Sequence, residues 1–228
     1  VYVTMHNSGF GAFNPNRGQQ LFYFISCVQL VLISFMAPGL TAGVISGERE
    51  RQTLNILLTT RQTSTAIILS KLVASLGFMV LVVFSTLPIY SIVFLYGGVS
   101  PGQLTAVFLF YLFYMLMLGS VGVLCSTLIR KTIIAVITTY GFLVFIAGFT
   151  AVLAVFAAMV QHGAGMVPGI ILSFNPMGAL LSIMMPEFSE EVFNRSSALE
   201  LWHIFVPAYT LVTLAAILLS IRHLRPVM

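Results

Sequence analysis

Five long apolar stretches dominate this sequence and leave little room for a water-soluble domain. They cover residues 21–45, 65–96, 104–129, 132–160 and 203–221. Each is close to or above the roughly 20 residues that an α-helix needs to cross a bilayer. Because lipid offers the backbone no hydrogen-bond partners, such stretches are expected to be helical. The sequence therefore predicts an all-α fold, a polytopic membrane helix bundle with five spans in one transmembrane domain over residues 1–228.

The composition excludes an ordinary soluble enzyme. Hydrophobic residues make up 59% of the chain and charged residues only 7%, whereas a soluble domain carries about 25% charged residues. The formal net charge is +4, but the basic residues are scattered and form no patch that would indicate a nucleic-acid partner. Cys27 and Cys125 both lie in apolar stretches, so buried free thiols are expected.

Basic residues in the short connections predict the orientation of the bundle. If residues 47–64 are cytoplasmic, most Lys and Arg side chains lie inside, namely Arg49, Arg51, Arg61, Lys71, Arg130, Lys131, Arg222 and Arg225. Only Arg17 and Arg195 are then external. The segment 1–20 would be external as well, and a further helix upstream of Val1 would explain that arrangement. We expect Arg61 and Lys71 to contact anionic lipid headgroups.

One apolar segment, residues 163–186, is interrupted by helix-breaking residues that include Pro168, Gly169, Asn175, Pro176 and Gly178. As a sixth span it would place Arg222 and Arg225 outside, against the charge rule. We therefore favour a pair of short re-entrant helices on the external side, buried in protein. The acidic stretch 187–200 that follows is expected to form a short external loop.

The spans lack the groups that catalysis or ion coupling requires. The chain contains no Asp, no Glu lies in the middle of a span, and no two His residues have metal-ligand spacing. No phosphate-binding loop is present either. The sequence therefore predicts no enzyme activity, no metal and no cofactor in this chain. Polar side chains within the spans could line a substrate path. They could instead bond to neighbouring helices, which is the interpretation we favour. These residues include Gln29, Ser34, Tyr90, Tyr111 and Tyr114.

The most distinctive motif is a charged connection after the first apolar stretch. Four consecutive charges of alternating sign are followed by leucines at helical spacing. The residues are Glu48, Arg49, Glu50, Arg51, Leu54, Leu57 and Leu58. The pattern predicts a short amphipathic helix over residues 47–60 on the cytoplasmic face. Such a helix could dock a partner, or it could lie at the membrane interface and only anchor the connection.

This motif resembles the coupling segment of ABC-2 type permeases of ABC transporters. The resemblance lies in G-E-R-E-R-Q-T-L at 47–54, L-L-T-T at 57–60, Lys71-Leu72 at the next span and P-G-Q-L at 101–104. In that family the segment binds a groove of a separate ATP-hydrolysing subunit. The chain departs from the family in showing five spans instead of six and in carrying Asn55 where relatives often have an acid.

The resemblance implies a role for each part of the motif. Glu48, Arg49, Glu50 and Arg51 would form the charged contact with the ATPase, and Leu54, Leu57 and Leu58 would pack against it or against the membrane domain. Mg-ATP would then be bound by the partner subunit.

The implied function is that of a transmembrane permease subunit, with export favoured over import. Its partners would be an ABC ATPase, a second permease subunit of the same or a different kind, and membrane lipids. The implied location is a bacterial or archaeal plasma membrane, as a multi-pass protein. The alternative is a non-transporting membrane scaffold or assembly protein that docks a cytoplasmic partner through residues 47–60.

Gly39, Gly43 and Gly47 recur every four residues at the end of the first apolar stretch. Such a ladder of small residues lets another helix approach closely. The neighbour would be a helix of the same chain, which is the favoured interpretation, or a helix of a second permease.

Overall fold

Helices account for all regular structure in the part of the chain that the computed structural model describes, residues 15–52, 63–96, 99–193 and 200–224. They are α1 (Pro15–Thr41), α2 (Ser46–Glu50), α3 (Ser64–Ser85), α4 (Leu87–Tyr96), α5 (Pro101–Leu128), α6 (Thr132–Val144), a π-helical segment (Phe145–Phe149), α7 (Thr150–Val160), α8 (Met166–Ser173), α9 (Pro176–Met184), α10 (Pro186–Phe193) and α11 (Leu201–Leu224).

Five helical segments are long and apolar enough to cross a membrane. They are Gly18–Glu50, Ser64–Phe94, Pro101–Leu128, Thr132–Val160 and Leu201–Leu224. The predicted all-α membrane helix bundle is therefore confirmed.

The third of these segments, α5, is the centre of the bundle. In an apolar stretch of 18 residues within α5, 67% of the residues are buried inside the protein. The corresponding share is 11% for the spanning segment that contains α6 and α7. Its start is determined locally, because the Ser100 hydroxyl accepts a hydrogen bond from the Gln103 backbone N–H at 3.1 Å and Pro101 occupies the first turn. Because α5 packs against α1, α3, α6 and α11, it positions both ends of the molecule.

Small residues on α5 allow the end of α1 to approach closely. A Cβ atom added at Gly122 would lie 2.0 Å from the Thr41 hydroxyl oxygen, and one added at Gly119 would lie 3.5 Å from the Thr41 methyl group. Thr41 itself is buried, and its hydroxyl donates to the Ala37 carbonyl at 2.7 Å. The contact between α1 and α5 therefore depends on the absence of a side chain at Gly122.

Hydroxyl groups inside the spans bond to neighbouring helices. The Tyr111 hydroxyl donates to the Ser26 carbonyl at 2.9 Å, and the Ser26 and Tyr90 hydroxyl oxygens are 3.3 Å apart. The hydroxyl oxygens of Ser34 and Tyr114 are 2.9 Å apart. These bonds join α1, α4 and α5 in the interior of the bundle, where an unsatisfied polar group would be costly.

Two short helices follow the fourth apolar segment and bend sharply. The axes of α8 and α9 differ by 104°. Asn175 lies at the bend, where its side-chain oxygen accepts from the Met177 N–H at 2.9 Å and its amide nitrogen donates to the Ala147 carbonyl at 2.7 Å. Ala147 belongs to the π-helical segment, so the bend is attached near the middle of the fourth spanning segment. The Tyr209 hydroxyl also donates to the Phe174 carbonyl at 2.8 Å.

The outer ends of this bent pair meet the same end of the bundle. Before α8, the Gly165 N–H donates to the Val192 carbonyl of α10 at 3.0 Å. At the end of α9, the Met184 carbonyl accepts from the Gln103 side-chain amide at 2.8 Å, next to the start of α5. The pair therefore enters and leaves at the end of the bundle where α5 begins.

The prediction of a loop over residues 187–200 is wrong for its first part, because residues 186–193 form α10. Pro186 begins the helix, where its missing N–H costs nothing, and Glu187 lies in the first turn. Ser189 is buried while Glu190 is exposed, so the helix is amphipathic and lies against the bundle. Residues 194–199 lie outside the described part of the chain.

Gly122→Ala should destabilise the protein by about 1–3 kcal/mol, because the new methyl group would overlap Thr41. The measurement is unfolding of the purified protein by a denaturing detergent. Gly77→Ala is the matched control, since an added Cβ there meets no atom within 4 Å, and it should leave stability unchanged or slightly raised. Thr41→Ala should partly rescue Gly122→Ala, and equal destabilisation at both glycines would contradict this packing.

Candidate functional site

The charged motif of the sequence folds into a short helix and a turn, residues 47–52, which we name the charged turn. Its helix, α2, is attached at its start to the end of α5. The Ser126 hydroxyl oxygen accepts from the backbone N–H groups of Ile45 and Ser46 at 2.8 and 2.9 Å. Ser126 is fully buried. It satisfies two backbone donors that the beginning of a helix would otherwise leave without partners.

Each of the first three charged side chains binds a different helix. Glu48 forms an ion pair with Lys71 of α3. Arg49 donates to the Thr127 carbonyl of α5 at 3.2 Å. Glu50 accepts two hydrogen bonds from Thr132 of α6, at 2.9 Å from the backbone N–H and at 2.8 Å from the hydroxyl. The charged turn is therefore connected to α3, α5 and α6 at once.

Glu50 caps α6 from another part of the chain. Lys131 precedes that helix and provides no side-chain cap of its own, so the Glu50 carboxylate satisfies the exposed N–H at the positive end of the helix dipole. The two hydrogen bonds from Thr132, together with the charge of Lys131, lower the pKa of the Glu50 carboxyl. Glu50 is therefore ionised at neutral pH.

Lys71 has a different partner from the one expected from the sequence. The sequence predicts that Lys71 contacts lipid headgroups, as Arg61 is expected to do, but its ammonium group binds Glu48. The Lys71 side chain is only 33% exposed and that of Glu48 only 23%. Screening by water is therefore reduced at this pair compared with a fully exposed ion pair. Arg61 lies outside the described residues.

The small-residue ladder faces α6 of the same chain. A Cβ atom at Gly39 would be 3.4 Å from the Tyr140 hydroxyl oxygen, and one at Gly43 would be 3.2 Å from a methyl group of Thr132. At Gly47 the nearest neighbour is again Thr132, at 3.8 Å. The end of α1 and the start of α6 therefore lie close together, and this proximity brings Thr132 within reach of Glu50.

Within the described residues, the helix predicted over residues 47–60 is interrupted soon after its start. The sequence predicts a helix over residues 47–60, but α2 ends at Glu50, and Gln52 has a left-handed backbone with φ of 59°. Arg51 and Gln52 are exposed, and neither forms a side-chain bond with another described residue. Three predicted contact residues, Leu54, Leu57 and Leu58, lie outside the described part of the chain.

An apolar cluster lies directly behind the charged turn. It consists of Ile45, Ile67, Ile68, Leu72, Val123 and Leu224. Ile45 lies in the turn between α1 and α2, and the other residues belong to the start of α3, the end of α5 and the end of α11. A surface cavity of about 380 Å³ borders the turn and is lined by Gly47, Glu48, Glu50 and Thr132 among others. A force applied to the turn would therefore reach four spanning segments through close-packed side chains.

Sequence reasoning missed the residues that hold the charged turn in place. Ser126, Thr127 and Thr132 lie about 80 residues away from it in sequence, and nothing in their local pattern distinguishes them from other polar residues at span ends. Among the described residues, no group of His, Cys, Asp or Glu could hold a metal ion.

Glu48→Lys or Lys71→Glu should each destabilise the protein, because two like charges would face each other at the edge of the bundle. The double exchange, Glu48→Lys with Lys71→Glu, should recover about 1 kcal/mol of this loss, as expected for a partly exposed pair. Detergent unfolding of the four proteins gives the coupling energy. Strictly additive effects would show that the pair contributes nothing to stability.

Comparison with known proteins supports the resemblance suggested by the charged motif. A family model described as ABC-2 family transporter protein matches residues 10–222. No curated protein and no solved structure gives a significant match. The family match covers nearly the whole chain, including the charged turn, four complete spanning segments and most of the fifth. The chain therefore belongs to the ABC-2 transporter family and is a permease component of an ABC transporter, embedded in the membrane by several helices.

Proposed function

We propose that this chain is the membrane subunit of an exporter driven by a separate ATP-hydrolysing subunit, with the charged turn as the contact between them. The observation that supports this proposal most is the way the turn is built. Three of its charged side chains bind three different helices, whereas those of Arg51 and Gln52 are exposed and bind no other described residue. A partner bound to the exposed side would act on the bundle through the bound side.

The distribution of charge supports a cytoplasmic position for the turn. The described basic side chains gather at this end of the bundle, and they are Arg49, Arg51, Lys71, Arg130, Lys131 and Arg222. The opposite end carries Glu187, Glu190, Glu191 and Glu200. Excess Lys and Arg is typical of cytoplasmic connections, so we place the charged turn inside and α10 outside.

In this orientation the bent pair of α8 and α9 is a re-entrant element on the external side. It begins and ends near the start of α5, and its bend is attached to the fourth spanning segment through Asn175. Irregular backbone is tolerated at membrane depth when protein buries it, and Asn175 is only 4% exposed. This arrangement keeps Arg222 at the cytoplasmic end.

The proposed mechanism is mechanical. Closure of the ATPase around nucleotide would displace the charged turn, and the apolar cluster behind it would pass the displacement to four spanning segments. The ATPase can shift the bundle between two states only by binding one state more tightly than the other. Export, and a second permease subunit, are carried over from the family resemblance.

Arg51→Ala should weaken assembly with the ATPase subunit and lower its stimulated ATP hydrolysis several-fold, while leaving the stability of the permease unchanged. The measurement is co-purification and ATP hydrolysis of the reconstituted complex. Glu190→Gln, an exposed substitution at the opposite end, is the control and should change neither quantity. Unchanged assembly and hydrolysis with Arg51→Ala and also with Glu48→Ala/Glu50→Ala would contradict the proposed contact.

The same reconstitution distinguishes a transporter from a scaffold. A scaffold that docks the partner through residues 47–60 would bind the ATPase but leave its hydrolysis rate independent of the charged turn. A transporter subunit should alter the hydrolysis rate, because the two proteins share one conformational equilibrium.

Cysteine labelling in intact cells should place the two ends of the bundle on opposite sides. In a background without Cys27 and Cys125, a membrane-impermeant maleimide should label Glu190→Cys from outside and should label Arg51→Cys only after the membrane is permeabilised. External labelling at Arg51→Cys would overturn the orientation.

A further inference from the structure

A cavity of about 470 Å³ opens between the start of α5 and the start of α11, at the acidic end of the bundle. Its walls are mainly apolar and aromatic, with Leu109, Phe110, Phe113 and Val206 among the lining residues. Phe110 is buried, whereas Leu109 is 65% exposed on the outside of the bundle. The cavity therefore lies between the protein interior and the surrounding lipid.

One carboxylate and one indole ring stand together at this cavity. Glu200 and Trp202 both line it, and the Glu200 carboxylate accepts a hydrogen bond from the indole N–H. The Trp202 ring is stacked on the His203 ring, with their centroids 3.9 Å apart. A negative charge is thus held next to an aromatic surface, at the edge of an apolar space.

A second cavity, of about 510 Å³, shares Gln103 and Pro186 with the first. It is lined by two further exposed carboxylates, Glu187 and Glu191. The Gln103 amide N–H is already donated to the Met184 carbonyl. None of the described side chains that line either cavity is basic. Among the described residues, the charged side chains at the approach to the apolar cavity are therefore all acidic.

We propose that the cavity between α5 and α11 is a binding site for an amphipathic organic cation. The apolar body of the ligand would lie against Phe110 and Phe113, where burial of its surface is favourable. Its positive group would lie beside Glu200 and the Trp202 ring, which attract a cation by charge and by the ring quadrupole. The same carboxylates disfavour an anionic lipid headgroup at this position.

This inference rests on the proposed function, because it names the class of substrate that the transporter would move. Binding itself requires no ATP and no partner, so it can be tested on this chain alone. Trp202 is the single tryptophan in the sequence, and its fluorescence therefore reports on this cavity.

The experiment titrates the full chain in phosphatidylcholine vesicles at neutral pH with tetraphenylphosphonium. Tetraphenylborate, of the same shape and opposite charge, is the matched probe. We expect a saturable change in Trp202 emission with the phosphonium only. Glu200→Gln, which keeps an acceptor for the indole N–H, should raise the apparent Kd by about tenfold through loss of the charge.

Two further variants complete the test. Glu190→Gln removes a charge from the same end but lines neither cavity, and it should leave the Kd unchanged. Ala106→Phe should fill the cavity and abolish the phosphonium signal. Equal binding of the borate, or equal effects of Glu200→Gln and Glu190→Gln, would overturn the proposal. Because no ATPase is present, neither result bears on the proposed contact between Arg51 and the ATPase, which the reconstitution experiment tests separately.

Discussion

Lipid offers no hydrogen bonds, and the organisation of this protein depends on that constraint. A polar group within the bilayer is costly unless it finds a partner inside the chain. The Tyr111 and Tyr114 hydroxyls therefore join α5 to α1, and Asn175 satisfies the backbone at the bend between α8 and α9. Because α5 provides several of these partners and is also the most buried of the five spanning segments, it positions the functional elements at both ends.

At the cytoplasmic end of our proposed orientation, electrostatics and close packing act on the same few residues. The absence of a side chain at Gly122 brings Thr41 against α5, and Ser126 then holds the start of α2. Glu48 and Glu50 can reach α3 and α6 only because the end of α1 is held in this position. The charged turn is thus joined to three helices of the bundle, and Arg51 and Gln52 remain exposed beside these contacts.

The opposite end combines features that suit substrate recognition. Two adjoining cavities, one mainly apolar and one bordered by carboxylates, meet at Gln103 and Pro186. Their shape depends on the bent pair of α8 and α9, since Met184 is the last residue of α9 and Pro186 begins α10. Attachment of this pair to the π-helical segment through Asn175 links the shape of the cavities to the fourth spanning segment.

Hydrophobicity, helix breakers and the charged motif were sufficient to predict the all-α membrane bundle, its five long segments and its family. These properties are local, because a span is determined by the solvation of its own residues. Local patterns could not place Ser126 and Thr132 beside the charged turn, end its helix at Glu50, pair Lys71 with Glu48 or fold residues 186–193 into a helix. Only the tertiary structure decided these features, because they depend on which helices lie close enough to exchange hydrogen bonds and charge.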